Sequence, residues 1–253
     1  MRWVKMLAFA AVVALTAGCG AIPRILPADS AGPPTAVASA PRGEPPFSPP
    51  RACGGMLSPE QRMYLDLVYE MVRQGQYYAA LAHLDQLEKK APPAPQNVYL
   101  RAEALRGIGQ PDQAGKLYRS LLEGCMAGYG LHGLGLLAAD AGRLEEAEDF
   151  LVRAGRERPA SADVHNDLGM VLLLEGRRAL ARREFLTAAE LNRADSLPVE
   201  NLIVLALMDD NPEEAERLAK HRRLTDDDLD RLTQRARRLA EQSKTGESAP
   251  MQE

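Results

Sequence analysis

The sequence predicts an all-α protein: a right-handed solenoid of about five helical hairpins, closed by one more helix at its C-terminal end. Three observations predict it. The pattern of residues 131–154 returns in residues 165–188 at a shift of 34 residues, and each copy reads as helix, glycine turn, helix. A small residue in the second helix of each unit falls at Ala80, Ala114, Ala147, Ala181 and Ala215, in steps of 34, 33, 34 and 34. The first helix of each unit is stopped at Gly75, Gly109, Gly142 and Gly176, and in the fifth unit at Asp210-Asn211-Pro212. Glycine enters the left-handed conformation that ends a helix without a Cβ clash. Asn211 and Pro212 serve the same turn as a cap and a first-turn proline.

A larger apolar or aromatic residue follows four positions after each alanine, as Leu84, Tyr118, Leu151 and Phe185, and weakens to Ala219. This period and these slots resemble the tetratricopeptide (TPR) repeat. On that frame the repeats cover residues 61–94, 95–127, 128–161, 162–195 and 196–224, with a capping helix over 225–241 and a disordered tail over 242–253.

Residues 1–18 read as a secretion signal rather than as fold. Arg2 and Lys5 form a positive start, and Met6 to Leu15 form an uncharged apolar stretch too short to span a bilayer. Leu15-Thr-Ala-Gly-Cys19 resembles a bacterial lipobox, in which the Cys19 sulfur takes a diacylglyceryl group before cleavage. An ordinary cleaved signal peptide is the alternative. Gly20 follows, not aspartate; by resemblance to bacterial lipoproteins lacking a retention aspartate, this implies the outer membrane, with the chain facing the periplasm. Several acyl chains on one cysteine anchor stably, where one binds weakly. Cleavage removes Trp3, the single tryptophan.

Residues 19–59 form the lipidated end and a proline-rich tether, with Pro23, Pro27, Pro33, Pro34, Pro41, Pro45, Pro46, Pro49 and Pro50 among alanines and serines. Proline removes backbone donors, so regular structure is excluded and the segment is expected to be extended. At about 3.1 Å per residue it spans on the order of 100 Å. Cys53 lies in this tether and Cys125 ends the second hairpin. The residues between Cys53 and the first helix reach roughly 28 Å at most, enough to pass two hairpins at about 10 Å per packed layer. A Cys53–Cys125 disulfide in the oxidising periplasm is the expectation, and two unpaired thiols are the alternative.

Within residues 60–241, Ser58-Pro59-Glu60 supplies a cap, a first-turn proline and a carboxylate at the positive end of the first helix. Leu67 and Leu81 are expected in the core. The second hairpin is one residue short and lacks a closing proline, so a bend or weaker stacking is expected there. In the third and fourth, Leu134 and Leu168 point inward, and Gly135 and Gly169 let neighbouring helices close up. The first helix of the fifth, Leu202 to Met208, is apolar nearly all round and must be covered on both faces. Thr225 opens a last helix with Asp226, Asp227 and Asp228 at its positive end and an apolar stripe of Leu229, Leu232, Ala236 and Leu239.

In TPR solenoids the first helices line the concave face. Slot by slot, the groove is expected to present Arg62, Tyr69, Arg73, Tyr99, Glu103, Arg106, Tyr129, His132, Asn166 and Met170. Its N-terminal half is aromatic and cationic, the composition of protein-recognition hot spots. Its C-terminal half, with Leu136, Leu173, Val204 and Met208, suits a partner helix or the chain's own last helix. Tyr69 and Tyr99 read equally as recognition residues or as packing. A net charge of −4 gives no footprint for nucleic acid. His83, His132, His165 and His221 are scattered one per unit, with no nucleophile motif, phosphate loop or zinc-like spacing. Hence no catalytic role, metal, cofactor or small-molecule substrate is expected. His83 and His221 read as solvent-facing.

A lipobox, a proline leash and five hairpins together resemble bacterial envelope lipoproteins. Val164-His-Asn-Asp-Leu-Gly-Met-Val-Leu-Leu-Leu-Glu-Gly176, Pro198-Val-Glu-Asn-Leu-Ile-Val-Leu-Ala-Leu207 and Ala215-Glu-Arg-Leu-Ala resemble the TadD-like lipoproteins of tight-adherence (Flp) pilus assembly. The resemblance implies a non-catalytic assembly factor that binds a secretin or another pilus component. A TPR lipoprotein that scaffolds or activates cell-wall synthesis enzymes is the second reading.

Overall fold

The computed structural model describes Cys53, residues 57–89 and residues 93–246. The signal peptide, the Cys19 lipid site, most of the tether and the last seven residues lie outside the described residues. The described residues form eleven helices and no strand: α1 Pro59–Arg73, α2 Tyr77–Glu88, α3 Pro95–Gly107, α4 Pro111–Ser120, α5 Ala127–Asp140, α6 Leu144–Glu157, α7 Ala162–Leu174, α8 Arg178–Leu191, α9 Leu197–Met208, α10 Pro212–Arg222 and α11 Asp226–Gly246.

Ten of these pair as five hairpins, and one device closes each first helix. Gly75, Gly109, Gly142 and Gly176 have φ between +73° and +76°, and Asp210 takes the same left-handed conformation at φ +57°. At every turn the next N–H then reaches back five residues, from Gln76 to Met71, Gln110 to Leu105, Arg143 to Ala138, Arg177 to Leu172 and Asn211 to Ala206. Starts are capped unevenly. Ser58 and Gln61 form a reciprocal capping box on α1, and the Asn211 side chain accepts from the Glu214 N–H on α10.

Close approach within the hairpins rests on absent side chains. A Cβ on Gly135 would meet Leu151 at 2.7 Å, and one on Gly169 would meet the Phe185 ring at 2.7 Å. Leu151, Phe185, Ala147 and Ala181 are fully buried in these contacts. Each second helix packs on the first helix of the next hairpin, so the stack is continuous. α9 touches α7, α8, α10 and α11, which explains how a helix apolar all round is accommodated.

Three expectations need correction. Leu67 is not core: it is 47% exposed on α1, because among the described residues no hairpin precedes the first to cover that face. His83 is half-buried rather than solvent-facing, held 2.7 Å from the Tyr64 hydroxyl. The last helix does not stop near residue 241 but runs to Gly246, since residues 242–245 contain no proline or glycine to end its backbone ladder. The irregular second hairpin has a second helix of only 10 residues, followed by turns up to Met126.

Candidate peptide-binding groove

Successive first helices α1, α3, α5, α7 and α9 also pack on one another, whereas no two successive second helices make a comparable contact. The first helices therefore converge and form the inner face of the curve. Counted from Gln61, Pro95, Gly128, Ala162 and Ser196 as slot one, their slots five and nine look into it.

In the first two and a half hairpins this face is aromatic and charged. The Arg73 guanidinium lies 5.8 Å from the centre of the Tyr69 ring. Tyr99 and Tyr129 meet edge to face with centroids 5.1 Å apart, and Arg158 covers the Tyr129 ring at 3.9 Å. Glu103 accepts from the Tyr118 hydroxyl at 2.6 Å and from Arg106 at 3.1 Å, and Arg106 reaches towards Asp140 at 3.9 Å. Burial alone drives the Glu103 carboxyl up, but Arg106 and the Tyr118 hydroxyl outweigh it and hold the group below its ordinary value. The same burial, with Glu103 beside it, pushes the Tyr118 phenol well up. Burial also raises Tyr99, and it raises Asp140 against the pull of Arg106. The result is a fixed charge pattern of Arg73, Glu103, Arg106 and Asp140 among ring faces. Arg62 is exposed at its entrance.

Cys53 is bonded to Cys125, with Cα atoms 5.1 Å apart. It is buried against Leu121 and Met126, with Val98, Tyr99 and Tyr129 packed around them. The end of the tether is thus stapled beside the aromatic pair.

The other half of the inner face is closed. His132 bonds Asp167 at 2.7 Å, Asn166 donates to Asp167 at 3.3 Å, and Asn201 donates to Asn166 at 2.7 Å. All four are buried, as are Met170, Leu173 and Val204. His132, Asn166 and Met170 therefore do not stand open to a partner as their slots predict. The reason is twofold: the three first helices bond to one another across the groove, and α11 covers the end. α11 packs on α9, and its Leu232, Ala236 and Leu239 join the core that contains Met170, Leu173 and Val204. Arg235 on α11 is lowered by burial and partly restored by Glu200 on the inner face of α9. Tyr69 is likewise buried in the first hairpin's core.

Sequence reasoning passed over Asp140, Asp167, Arg158 and Asn201, and took Tyr118 only as a packing residue. One signal was present: His132, Asn166 with Asp167, and Asn201 repeat a polar residue at the helix period of the whole array inside otherwise apolar helices. Among the described residues no group of histidine, cysteine and carboxylate side chains is arranged to hold a metal, and no helix is long and apolar enough to cross a membrane.

A helical solenoid with an aromatic and charged inner face is the architecture of a protein-binding scaffold. The comparisons agree on the class. No protein-family profile matches the chain. The chain is 40% identical over 189 residues to the TPR repeat-containing protein PA4299 of Pseudomonas aeruginosa, a match covering 74% of this chain and 75% of that protein. It superposes on the crystal structure of TTC0263, a thermophilic TPR protein of Thermus thermophilus, with a TM-score of 0.58 and 25% identity, over 70% of this chain and 97% of that one. This chain belongs to the TPR repeat-containing proteins.

Proposed function

We propose that the protein is a lipid-anchored outer-membrane scaffold facing the periplasm, which holds a segment of a protein partner in the N-terminal half of its groove. In this reading Cys19 carries the lipid, the proline-rich tether sets the reach, and no reaction is catalysed. The partner is a secretin or another component of a tight-adherence pilus, by the resemblance of residues 164–176 and 198–207 to TadD-like lipoproteins. The observation that carries the groove assignment is the cluster of Tyr99, Tyr129 and Arg158 beside the Glu103–Arg106–Asp140 charges. Large rigid rings with fixed charges at their edge are what polypeptide hot spots are made of.

The test is a pulldown from solubilised membranes with Tyr129→Leu/Arg158→Ala against the parent, with helicity checked by circular dichroism. Recovery of the secretin should fall at least tenfold at unchanged helicity. Equal recovery would remove the groove from the account, and recovery of a peptidoglycan synthase instead would favour the cell-wall reading. Arg106→Ala is a poor probe, because it leaves the Glu103 carboxylate without its counter-charge and disturbs the fold itself. Fractionation tests the anchor separately: Cys19→Ala should move the protein out of the outer-membrane fraction.

A further inference from the structure

A second surface lies at the other side of the first hairpin. In hairpins two to five, slots three and seven of the first helix are covered by the preceding second helix. Asn97, Leu134, Val164, Leu168 and Leu202 are buried there, and Arg101 is held by Asp85 and Glu88 of α2. In the first hairpin the same slots are Met63 and Leu67, which are 68% and 47% exposed. The C-terminal end of the stack is covered by α11, whereas this end carries two bare apolar side chains one turn apart. Among the described residues no helix lies on α1 as α2 lies on α3.

We propose that the bare face of α1 docks an amphipathic helix of a partner protein, one carrying two apolar side chains a turn apart between lysines or arginines. The charge follows from the rim. On the helical wheel Glu60, Asp66 and Glu70 surround Met63 and Leu67. Glu70 leans to Arg73 at 3.3 Å, while Glu60 and Asp66 have no ion-pair partner among the described residues. At the α2–α3 joint the pattern is inverted, with the cation on the first helix and the acids on the covering one. An acidic first helix calls for a basic cover.

Two other occupants fit less well. A second copy of the chain would have to lay α1 on α1. Antiparallel, with Met63 and Leu67 interleaved, Glu60 faces Glu70 of the other copy; parallel, each acid faces itself, and like charges in register oppose pairing. The other is the chain's own preceding segment: Cys53, the described residue before Leu57, is fixed to Cys125 on the α3–α5 side and not on the Met63–Leu67 face.

The experiment places a photoreactive benzoylphenylalanine at Leu67 of the full chain in the native cell, with the same residue at Tyr78, 76% exposed on α2, as the control. The crosslinked peptide is identified by mass spectrometry. Expected is one adduct enriched at least tenfold over the control, mapping to a helix of another protein with apolar residues three or four apart and flanking cations. In the Glu60→Lys/Asp66→Lys background it should fall at least tenfold, while groove-dependent partner recovery stays unchanged. The proposal is overturned by labelling no greater than at Tyr78, by an adduct to a second copy or to this chain's own tether, by a peptide without basic flanks, or by an adduct indifferent to charge reversal.

Discussion

The two halves of the stack are held together differently. From α5 to α11 one continuous core runs through Leu151, Val171, Phe185, Ile203 and Leu205 to Leu239. The first two hairpins divide into smaller clusters, one around Val68 and Leu84, one around Tyr118 and Leu134, and one around Cys53, Leu121 and Met126. Their joints depend on directional bonds: Arg101 to Asp85 at 2.8 Å and to Glu88 at 2.9 Å, Tyr118 to Glu103 at 2.6 Å, and the Cys53–Cys125 disulfide. Where the repeat is regular, interlocking side-chain layers form the continuous core, and bonds such as His132–Asp167 and Asn201–Asn166 are added across its inner face. Where hairpin two is a residue short, specific bonds replace the missing apolar overlap. The aromatic part of the inner face, proposed above as the partner site, sits in that second kind of structure, the half with less cooperative packing.

The comparison is broken most severely from the C-terminal side. Phe185 is fully buried against Gly169, and Phe185→Ala should cost about 3–5 kcal/mol. Because that core is continuous, α5 to α11 should lose hydrogen-exchange protection as one block. The first two hairpins should be less affected, since stability in stacked repeats is carried by neighbours. Protection lost equally across all eleven helices would show that the halves are a single unit.

Next in size is the disulfide. Cys53→Ser/Cys125→Ser opens a loop of 72 residues, and removing such a crosslink costs about 2–4 kcal/mol. Added exchange should be confined to α1 to α5, with α7 to α9 unchanged. A mutant whose midpoint equals that of the oxidised parent would mean that the apolar clusters alone hold the first half.

A smaller change sharpens the regular half. Asp210 fills the turn slot that glycine holds in the other four hairpins, with φ +57°. A left-handed conformation costs a residue with a Cβ roughly 1–2 kcal/mol, part of which aspartate recovers by local bonding. Asp210→Gly should therefore stabilise by about 0.5–1 kcal/mol, read as a raised urea midpoint. A lowered midpoint would show that the freedom glycine adds to the unfolded chain outweighs the relief of the left-handed backbone.

The hairpins were legible because their determinants are local and steric. A glycine turn and a small residue at a helix crossing repeat with the fold and survive in one dimension. The TPR slot rule puts Arg73, Tyr99, Glu103 and Arg106 on the inner face, and in the structure Arg106 pairs with Glu103 at 3.1 Å. It failed for His132, Asn166 and Met170 because a slot says which way a residue points, not whether the space in front of it is empty. That depends on how tightly α5, α7 and α9 converge and on where α11 lands, which only tertiary packing decides. Leu67 failed for the mirror reason, since its slot presumes a preceding hairpin that the described chain does not supply. Tyr118 was assigned to the core by its slot, and its hydroxyl to nothing, yet that hydroxyl bonds the groove carboxylate Glu103.

The finest test concerns a joint inside the regular half. His165 opens α7 and has an acceptor at each ring nitrogen: Nδ1 lies 2.7 Å from a Glu184 carboxylate oxygen, and Nε2 lies 3.1 Å from the Pro159 carbonyl. The Glu184 bond dominates, burial opposes it and the carbonyl assists it, so the imidazole is raised above its ordinary value. Two acceptors and no donor favour the doubly protonated ring. A folded-state pKa above the unfolded one gives stability fully present below about pH 6.5, lost as pH rises through the folded value. The melting temperature should therefore fall slightly between mildly acidic and mildly alkaline buffer, and His165→Gln should flatten that slope. Glu184→Gln should flatten it too, by removing the charge that holds the proton. Parent and variants melting with the same slope across that range would show that this bond does not tie α7 to α8 in the way the geometry indicates.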